Sequence, residues 1–251
     1  MIATARTLLV TGGSRGIGAA VSRLAGQRGY RVAVNYVTNR PAAEAVVADI
    51  QTAGGDAFAI AGDVGVERDV LAMFQAVDDR FGRLDALVNN AGVVDRMARL
   101  DEISADRLER MFRINITGAF LCAREAVKRM STKHGGRGGA IVNLSSAAAR
   151  LGSANWYVDY AASKGAIDTM TKGLALEVAA EGIRVNGVRP GIIDTDIHAS
   201  GGEPGRVAAV RDSLPMKREG TAEEVARGIL WLLSDEASYT TGTTLDITGG
   251  R

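Results

Sequence analysis

The 251 residues, 46% apolar and 24% charged, suit one large soluble domain with a substantial buried core. With 30 basic residues against 29 acidic ones, the charge balance gives no reason to expect nucleic acid or an anionic membrane as partner. One cysteine, Cys122, and two isolated histidines, His134 and His198, exclude an intramolecular disulfide and leave no set of metal ligands.

In chain order, the first short apolar run is Thr7–Val10, a predicted strand that leads into the glycine cluster Thr11–Gly18. Further strands are predicted at Arg31–Tyr36, Ala57–Ala61, Ala86–Asn89, Ala140–Leu144, Arg184–Val188 and Thr244–Ile247. Helical periodicity falls between them, near 16–28, 41–53, 67–81, 104–131, 157–181 and 221–235. The strand runs are almost continuously apolar, as expected of a parallel sheet covered on both faces. This alternation predicts an α/β fold: a single Rossmann-type domain over 1–251, with about seven strands doubly wound by helices. A glycine- and proline-containing stretch from 191 to 220 breaks the alternation and is expected to form a lid. Cys122, among Phe120, Leu121 and Ala123, is expected to be packed. The basic run Lys128, Arg129, Lys133, His134 and Arg137 is expected to lie in solvent at a helix end. The run MIATARTLLVTGG lacks a signal-peptide pattern and is too short to span a membrane, so a soluble cytoplasmic protein is the default expectation.

The cluster Thr11-Gly12-Gly13-Ser14-Arg15-Gly16-Ile17-Gly18 lies between the first strand and a helix N-terminus, which offers N–H groups and positive dipole to a pyrophosphate. Gly12 would allow the tight turn, Gly16 close approach to a ligand, and Gly18 close helix–strand packing. The second strand ends Val34-Asn35-Tyr36 with no acidic residue to accept from a ribose 2′-hydroxyl, while Arg15 is available for a 2′-phosphate. NADP is therefore expected in preference to NAD. Arg40 is either a second phosphate contact or a solvated side chain before Pro41.

Tyr160 and Lys164 share one helix face at i,i+4 spacing, so the ammonium can lower a phenol pKa that is ordinarily about 10. Tyr157 has Ala161 at the same spacing and is expected to form a wall. Ser145 and Ser146 follow a predicted strand at its carboxyl end, where ligands gather. Asn115 lies in the apolar stripe of helix 104–131, either as a site residue or as a structural amide.

These motifs together resemble the short-chain dehydrogenase/reductase family across the whole chain: Thr11–Gly18, Asn89-Asn90-Ala91-Gly92, Asn115, the serine pair, Tyr160-x-x-x-Lys164, Arg189-Pro190-Gly191 and Thr241–Ile247 occur in order. The resemblance implies that Tyr160 exchanges the proton and that Lys164 lowers its pKa and binds a nicotinamide ribose. It implies that Ser146 holds the substrate oxygen and that Asn115 supports a water-linked relay. Gly12, Ser14, Arg15, Gly16, Ile17, Gly18, Asn35, Asp63, Val64, Asn90, Ala91, Gly92, Pro190, Gly191, Ile193 and Thr195 would join Tyr160 and Lys164 in holding the cofactor. The implied activity interconverts an alcohol and a carbonyl compound, with a glucose dehydrogenase-like or 3-oxoacyl-thioester reductase-like subgroup in view. A homotetramer or homodimer is implied through helices 104–131 and 157–181.

The sequence departs from the family in two places. Ser146 stands fourteen steps before Tyr160, one more than usual, and Ser145 fifteen; Ser146 is preferred, with one extra residue in the loop Ala147–Asp159. Only Arg251 follows Gly249-Gly250, near a possible subunit interface. Substrate choice is expected in Val93–Arg99, Leu151–Tyr157 and 194–215. Arg96 and Arg99 are expected to face water, while Leu151, Trp156 and Tyr157 suggest a wall for an uncharged carbonyl compound. The alternative class is a cofactor-binding regulatory or scaffold protein without chemistry.

Overall fold

A computed structural model describes residues 5–195, 201–203 and 205–251. Seven strands form one parallel sheet: β1 Thr7–Val10, β2 Arg31–Tyr36, β3 Asp56–Ala61, β4 Ala86–Asn89, β5 Gly139–Leu144, β6 Ile183–Pro190 and β7 Thr244–Ile247, in the order β3-β2-β1-β4-β5-β6-β7. The register pairs Val10 with Val34 on one side and Val88 on the other. Side chains alternate across the sheet, so each strand feeds two cores. Leu8, Val10, Val32 and Val88 pack under α1 (Gly16–Gln27), α2 (Arg40–Thr52) and α9 (Ala222–Leu233). Leu9, Ala33, Leu87 and Ile141 pack against α3 (Glu67–Phe81), α5 (Gly118–Met130) and α7 (Val158–Val178). The doubly wound sheet expected from the apolar runs is what forms.

The helix expected over 104–131 is broken. It runs as α4 (Ala105–Phe112), a π turn at Arg113–Thr117, and then α5. A π turn widens the helix by one residue, a device that apolar periodicity does not register and that recurs at functional sites. The loop before Tyr160 holds a short α6 (Ala148–Leu151). It then turns through positive φ at Gly152, Ser153 and Asn155. In this stretch two non-glycine residues occupy the left-handed region. Within 191–220, the described residues form α8 (Arg206–Val210) and a bridge between Ile193 and Gly220 that ties the two ends together. Ile197 and His198 lie outside the described residues.

Cys122 is buried, and burial pushes its thiol up to about 12, so it behaves as packing. The basic helix end is exposed at Lys128 as expected, and the expectation needs correction at Arg129. Lys128 and Arg129 pair with buried Glu125, Arg129 also reaches Asp78, and its guanidinium stacks 5.1 Å from the Phe74 ring centre. An acidic residue buried one turn earlier draws Arg129 inward, while Lys128 reaches it from an exposed position.

One long-range pair fixes the start of α7. Arg107 on α4 makes two bonds to Asp159, at 2.8 and 3.1 Å, and a third to the Arg96 carbonyl at 2.7 Å. The Asp159 side chain has no exposure. Removing one member of such a pair leaves a buried charge uncompensated. Arg107→Met should lower unfolding stability by about 3–5 kcal/mol in chemical denaturation, and the double change with Asp159→Leu should recover most of that loss. A single variant within experimental error of the parent would show that the pair carries little.

Candidate active site

The site lies at the carboxyl edge of the sheet, where the strand order reverses between β1 and β4. Here the backbone leaves regular pairing and needs other partners. Thr11 Oγ1 accepts from the Asn90 and Ala91 amides, each at 3.0 Å. The Asn90 side chain donates back to the Thr11 and Gly12 carbonyls at 2.9 and 3.0 Å. Asn35 holds the loop from the other side: its Oδ1 accepts from the Gly12 amide at 3.0 Å, and its Nδ2 donates to the Gly62 carbonyl at 2.9 Å. Asn35 is fully buried. Its side chain therefore positions the loop and offers no surface for the ligand contact expected of it.

Gly12 and Gly16 have φ of +61° and +51°. At Gly18 a Cβ would stand 2.3 Å from the Gly12 carbonyl, so only glycine lets the helix approach. No side chain caps the N-terminus of α1, where exposed Arg15 takes the cap position. These first-turn amides beside a positive-φ loop suit a dinucleotide pyrophosphate, and the residues present fit such a group. Arg40 is exposed and paired with Glu44 at 2.7 Å, which describes the solvated alternative. Asp63 accepts from the Gly65 amide and pairs with Arg113 at 2.9 Å, while buried Val64 lies against Gly118.

A cleft of about 980 Å³ opens beside the loop. Ile17, Asn90, Gly92, Pro190, Gly191, Ile193 and Thr195 line it together with Ser146, Tyr160 and Lys164. The two serines differ. Ser145 is buried, and its hydroxyl donates to the Lys164 carbonyl at 3.1 Å. Ser146 Oγ accepts from the Ala148 amide at 3.1 Å, and its hydroxyl stands near enough to Tyr160 to act downward on the phenol pKa. The Asn115 amide accepts from the Val93 N–H at 2.8 Å and donates to the Val93 carbonyl at 2.9 Å and to Ser163 Oγ at 3.2 Å. Its side chain thus acts as the structural amide, fixing the backbone next to Gly92.

The i,i+4 spacing predicts that Lys164 lowers the Tyr160 pKa, and the structure revises this. Lys164 is buried, donates to the Leu144 carbonyl at 2.7 Å, and stands 5.6 Å from the Tyr160 ring centre. Burial pushes its ammonium down to about 8, against the pull of Asp168. Burial likewise holds the Tyr160 phenol above its ordinary value, with the Ser146 hydrogen bond and the charge of Arg206 acting downward. The pair therefore sits in a low-dielectric pocket that disfavours both charged forms, so the phenol holds its proton more tightly than the ammonium does.

Sequence reading missed several residues that shape this site. Beneath it, Asn89 donates to Asn143 at 3.0 Å, and Asn143 donates to Thr171 at 2.9 Å, joining β4, β5 and α7. Arg189 joins Asp168 to Asp246. Arg206 and Arg251 line the cleft, whereas Arg96 and Arg99 are exposed and stand outside it. Polar residues within strands gave the only sequence signal for the first group. Arg189 stands in the motif Arg189-Pro190-Gly191, and Arg251 stands out only for its place after two glycines; Arg206 gave no signal.

A family profile described as "Enoyl-(Acyl carrier protein) reductase" matches residues 12–251. The chain is 59% identical over 243 residues to "Uncharacterized oxidoreductase YgfF" of Escherichia coli (strain K12), covering 97% of this chain and 98% of that one. It is 40% identical to 3beta-hydroxysteroid dehydrogenase 1 of Eggerthella lenta, over 98% of this chain and 93% of the relative. Among solved structures, a short-chain type dehydrogenase/reductase from Mycobacterium marinum superposes with a TM-score of 0.91 at 32% identity, covering 98% and 94% of the two chains.

The buried lysine makes stability depend on pH. Its folded pKa of about 8 lies below the ordinary 10.5. Between those values the unfolded chain keeps a proton that the folded chain has released, so stability rises with pH. Measured without nucleotide, the unfolding free energy of the parent relative to Lys164→Met should rise by on the order of 2 kcal/mol from about pH 8 to 10. A difference that stays flat or falls would mean that the ammonium is not desolvated.

Proposed function

Because the chain belongs to the short-chain dehydrogenase/reductase family, we propose that it interconverts an alcohol and the corresponding ketone or aldehyde with NADP(H), Tyr160 being the general acid and base. The observation that carries this reading is the meeting of Ser146, Tyr160 and Lys164 in one cleft with the uncapped glycine-loop helix. A bound nicotinamide supplies or accepts the hydride. In reduction Tyr160 Oη gives its proton to the substrate oxygen, and in oxidation it takes one back. The Ser146 hydroxyl orients that oxygen. Lys164 lies against Gly92 and the phenol, where it would bind the nicotinamide ribose and restore the Tyr160 proton. Asn115 sits at the π turn beside Gly92, and the relay assigned to it would run from there toward Lys164. Gly12, Ser14, Gly16 and Gly18 would receive the pyrophosphate, and Asp63 and Val64 the adenine. Ile193 and Thr195 would meet the carboxamide end.

NADP in place of NAD is supported by exposed Arg15 at the N-cap of α1 and by the lack of a carboxylate at the end of β2. Phe120 on α5 and Leu176 on α7 are large exposed apolar residues, which supports a homodimer or homotetramer through those helices. Among the described residues, no helix is long and apolar enough to cross a membrane. A cytoplasmic location belongs to the same reading.

A panel of ketones, aldehydes and alcohols, run with NADPH and NADH while nicotinamide absorbance is followed, should find turnover favouring NADPH. Tyr160→Phe should reduce kcat about 10²- to 10⁴-fold while NADPH binding, read by fluorescence, stays intact. Full turnover in that variant would remove Tyr160 from the chemistry. Nucleotide binding without turnover of any compound would favour the scaffold alternative.

A further inference from the structure

The substrate side of the cleft carries two cations that form no ion pair among the described residues. Arg206 of α8 stacks its guanidinium 4.5 Å from the Trp156 ring centre and 4.7 Å from that of Tyr157. Stacking engages the face of the guanidinium and leaves its N–H edge free for other partners. Two of those edge atoms, Nε and Nη1, are buried and have no hydrogen-bond partner among the described residues. Arg251 lines the same cleft from its exposed rim. Burial and the charge of Arg206 hold the Arg251 guanidinium below its ordinary value, so the two cations feel one another.

Elsewhere the arginines near the cleft are paired: Arg107 with Asp159, Arg189 with Asp168, Arg211 with Glu219 and Arg218 with Glu224. Neither Arg206 nor Arg251 forms an ion pair among the described residues. A buried guanidinium with unused donors is costly to keep. Aligned with a second cation on a ligand cleft, it suits a ligand that brings the missing acceptors.

Resting on the oxidoreductase reading, we propose that the substrate carries an anionic oxygen group, a carboxylate or a phosphate, besides its reacting carbonyl or carbinol, and that Arg206 receives this group with Arg251 assisting at the rim. The aromatic wall that suggested an uncharged compound then has a second use. Trp156 and Tyr157 hold Arg206 in place while Leu151 and Val94 contact the carbon skeleton.

The test compares matched carbonyl compounds: acetoacetate with its methyl ester, 4-acetylbenzoate with its methyl ester, and dihydroxyacetone phosphate with dihydroxyacetone. Kinetics with NADPH are run on the parent, Arg206→Met, Arg206→Lys and Arg251→Met, and binding of each compound to the NADPH complex is followed by calorimetry. The expected result is kcat/KM at least tenfold higher for the anionic member of one or more pairs. That ratio should collapse in Arg206→Met, weaken in Arg251→Met and be partly kept in Arg206→Lys. Preference within the carboxylate pairs or the phosphate pair identifies which anion is recognised.

If Arg206 only latches the lid, its loss would lower both members of a pair alike and leave the ratio unchanged, which overturns the inference. Equal or better turnover of the neutral members by the parent overturns it while leaving the oxidoreductase reading intact. If no compound is turned over but anion binding is present and is lost in Arg206→Met, the anion site stands and the proposed reaction falls. Absence of both turnover and anion binding overturns both.

Discussion

The site depends on a clamp across the reversal point of the sheet. The glycine loop leaves β1 in conformations that no strand pairing satisfies, so its carbonyls and amides need side-chain partners. Asn90 takes two loop carbonyls from the β4 side, and Asn35 takes the Gly12 amide from the β2 side. Gly18 is pressed against both the Gly12 carbonyl and the Asn90 amide, so clamp and helix form one packed unit. A loop held this way keeps its first-turn amides oriented for a ligand without rearrangement, which lowers the ordering cost of binding. The same clamp leads into Gly92 beside Lys164 and Asn115, so the glycine loop and the Tyr160–Lys164 end of the cleft are set by one constraint.

Burial sets the chemistry at the other end. In water a phenol and an ammonium differ little in pKa, and neither does much at neutral pH. Within the cleft, desolvation moves Lys164 down and Tyr160 up, while Ser146 and Arg206 pull the phenol back. The affinity of Tyr160 for its proton is therefore governed by several groups. The i,i+4 pair is the local part of that arrangement. Arg107 and Asp159 hold the helix start that aims it.

The sheet was legible in the sequence because parallel strands covered on both faces read as continuous apolar runs. The order of motifs along the chain located the loop and the serines, each of which follows a strand end, and the i,i+4 spacing on a helix located Tyr160-x-x-x-Lys164. What escaped has physical causes. The π turn inserts one residue without changing which residues are apolar, so 104–131 reads as one helix. Asn35 sits at the right strand end for a ribose contact, yet its inward rotamer depends on the backbone of Gly12 and Gly62, far off in sequence. The Arg107–Asp159 pair spans 52 positions and leaves no local pattern. Arg206 lies in a glycine-rich stretch without periodicity, and Arg251 follows two glycines, so neither could be placed in the cleft before the chain was folded.

The segment after β6 joins these two ends of the site. Thr195 lies against Gly16 of the phosphate loop, near enough that a Cβ there would stand 3.3 Å from its methyl group. Ile193 bridges to Gly220, so the excursion between them leaves and returns at one point on the sheet edge. From that excursion Arg206 reaches the aromatic wall, whose Trp156 carbonyl accepts from the Ala98 amide of the loop after β4. The excursion therefore touches the cofactor side through Thr195 and the substrate side through Arg206. Under the proposed function, substrate and cofactor would thus meet residues of one stretch of chain, tied to the sheet edge where Ile193 bridges to Gly220.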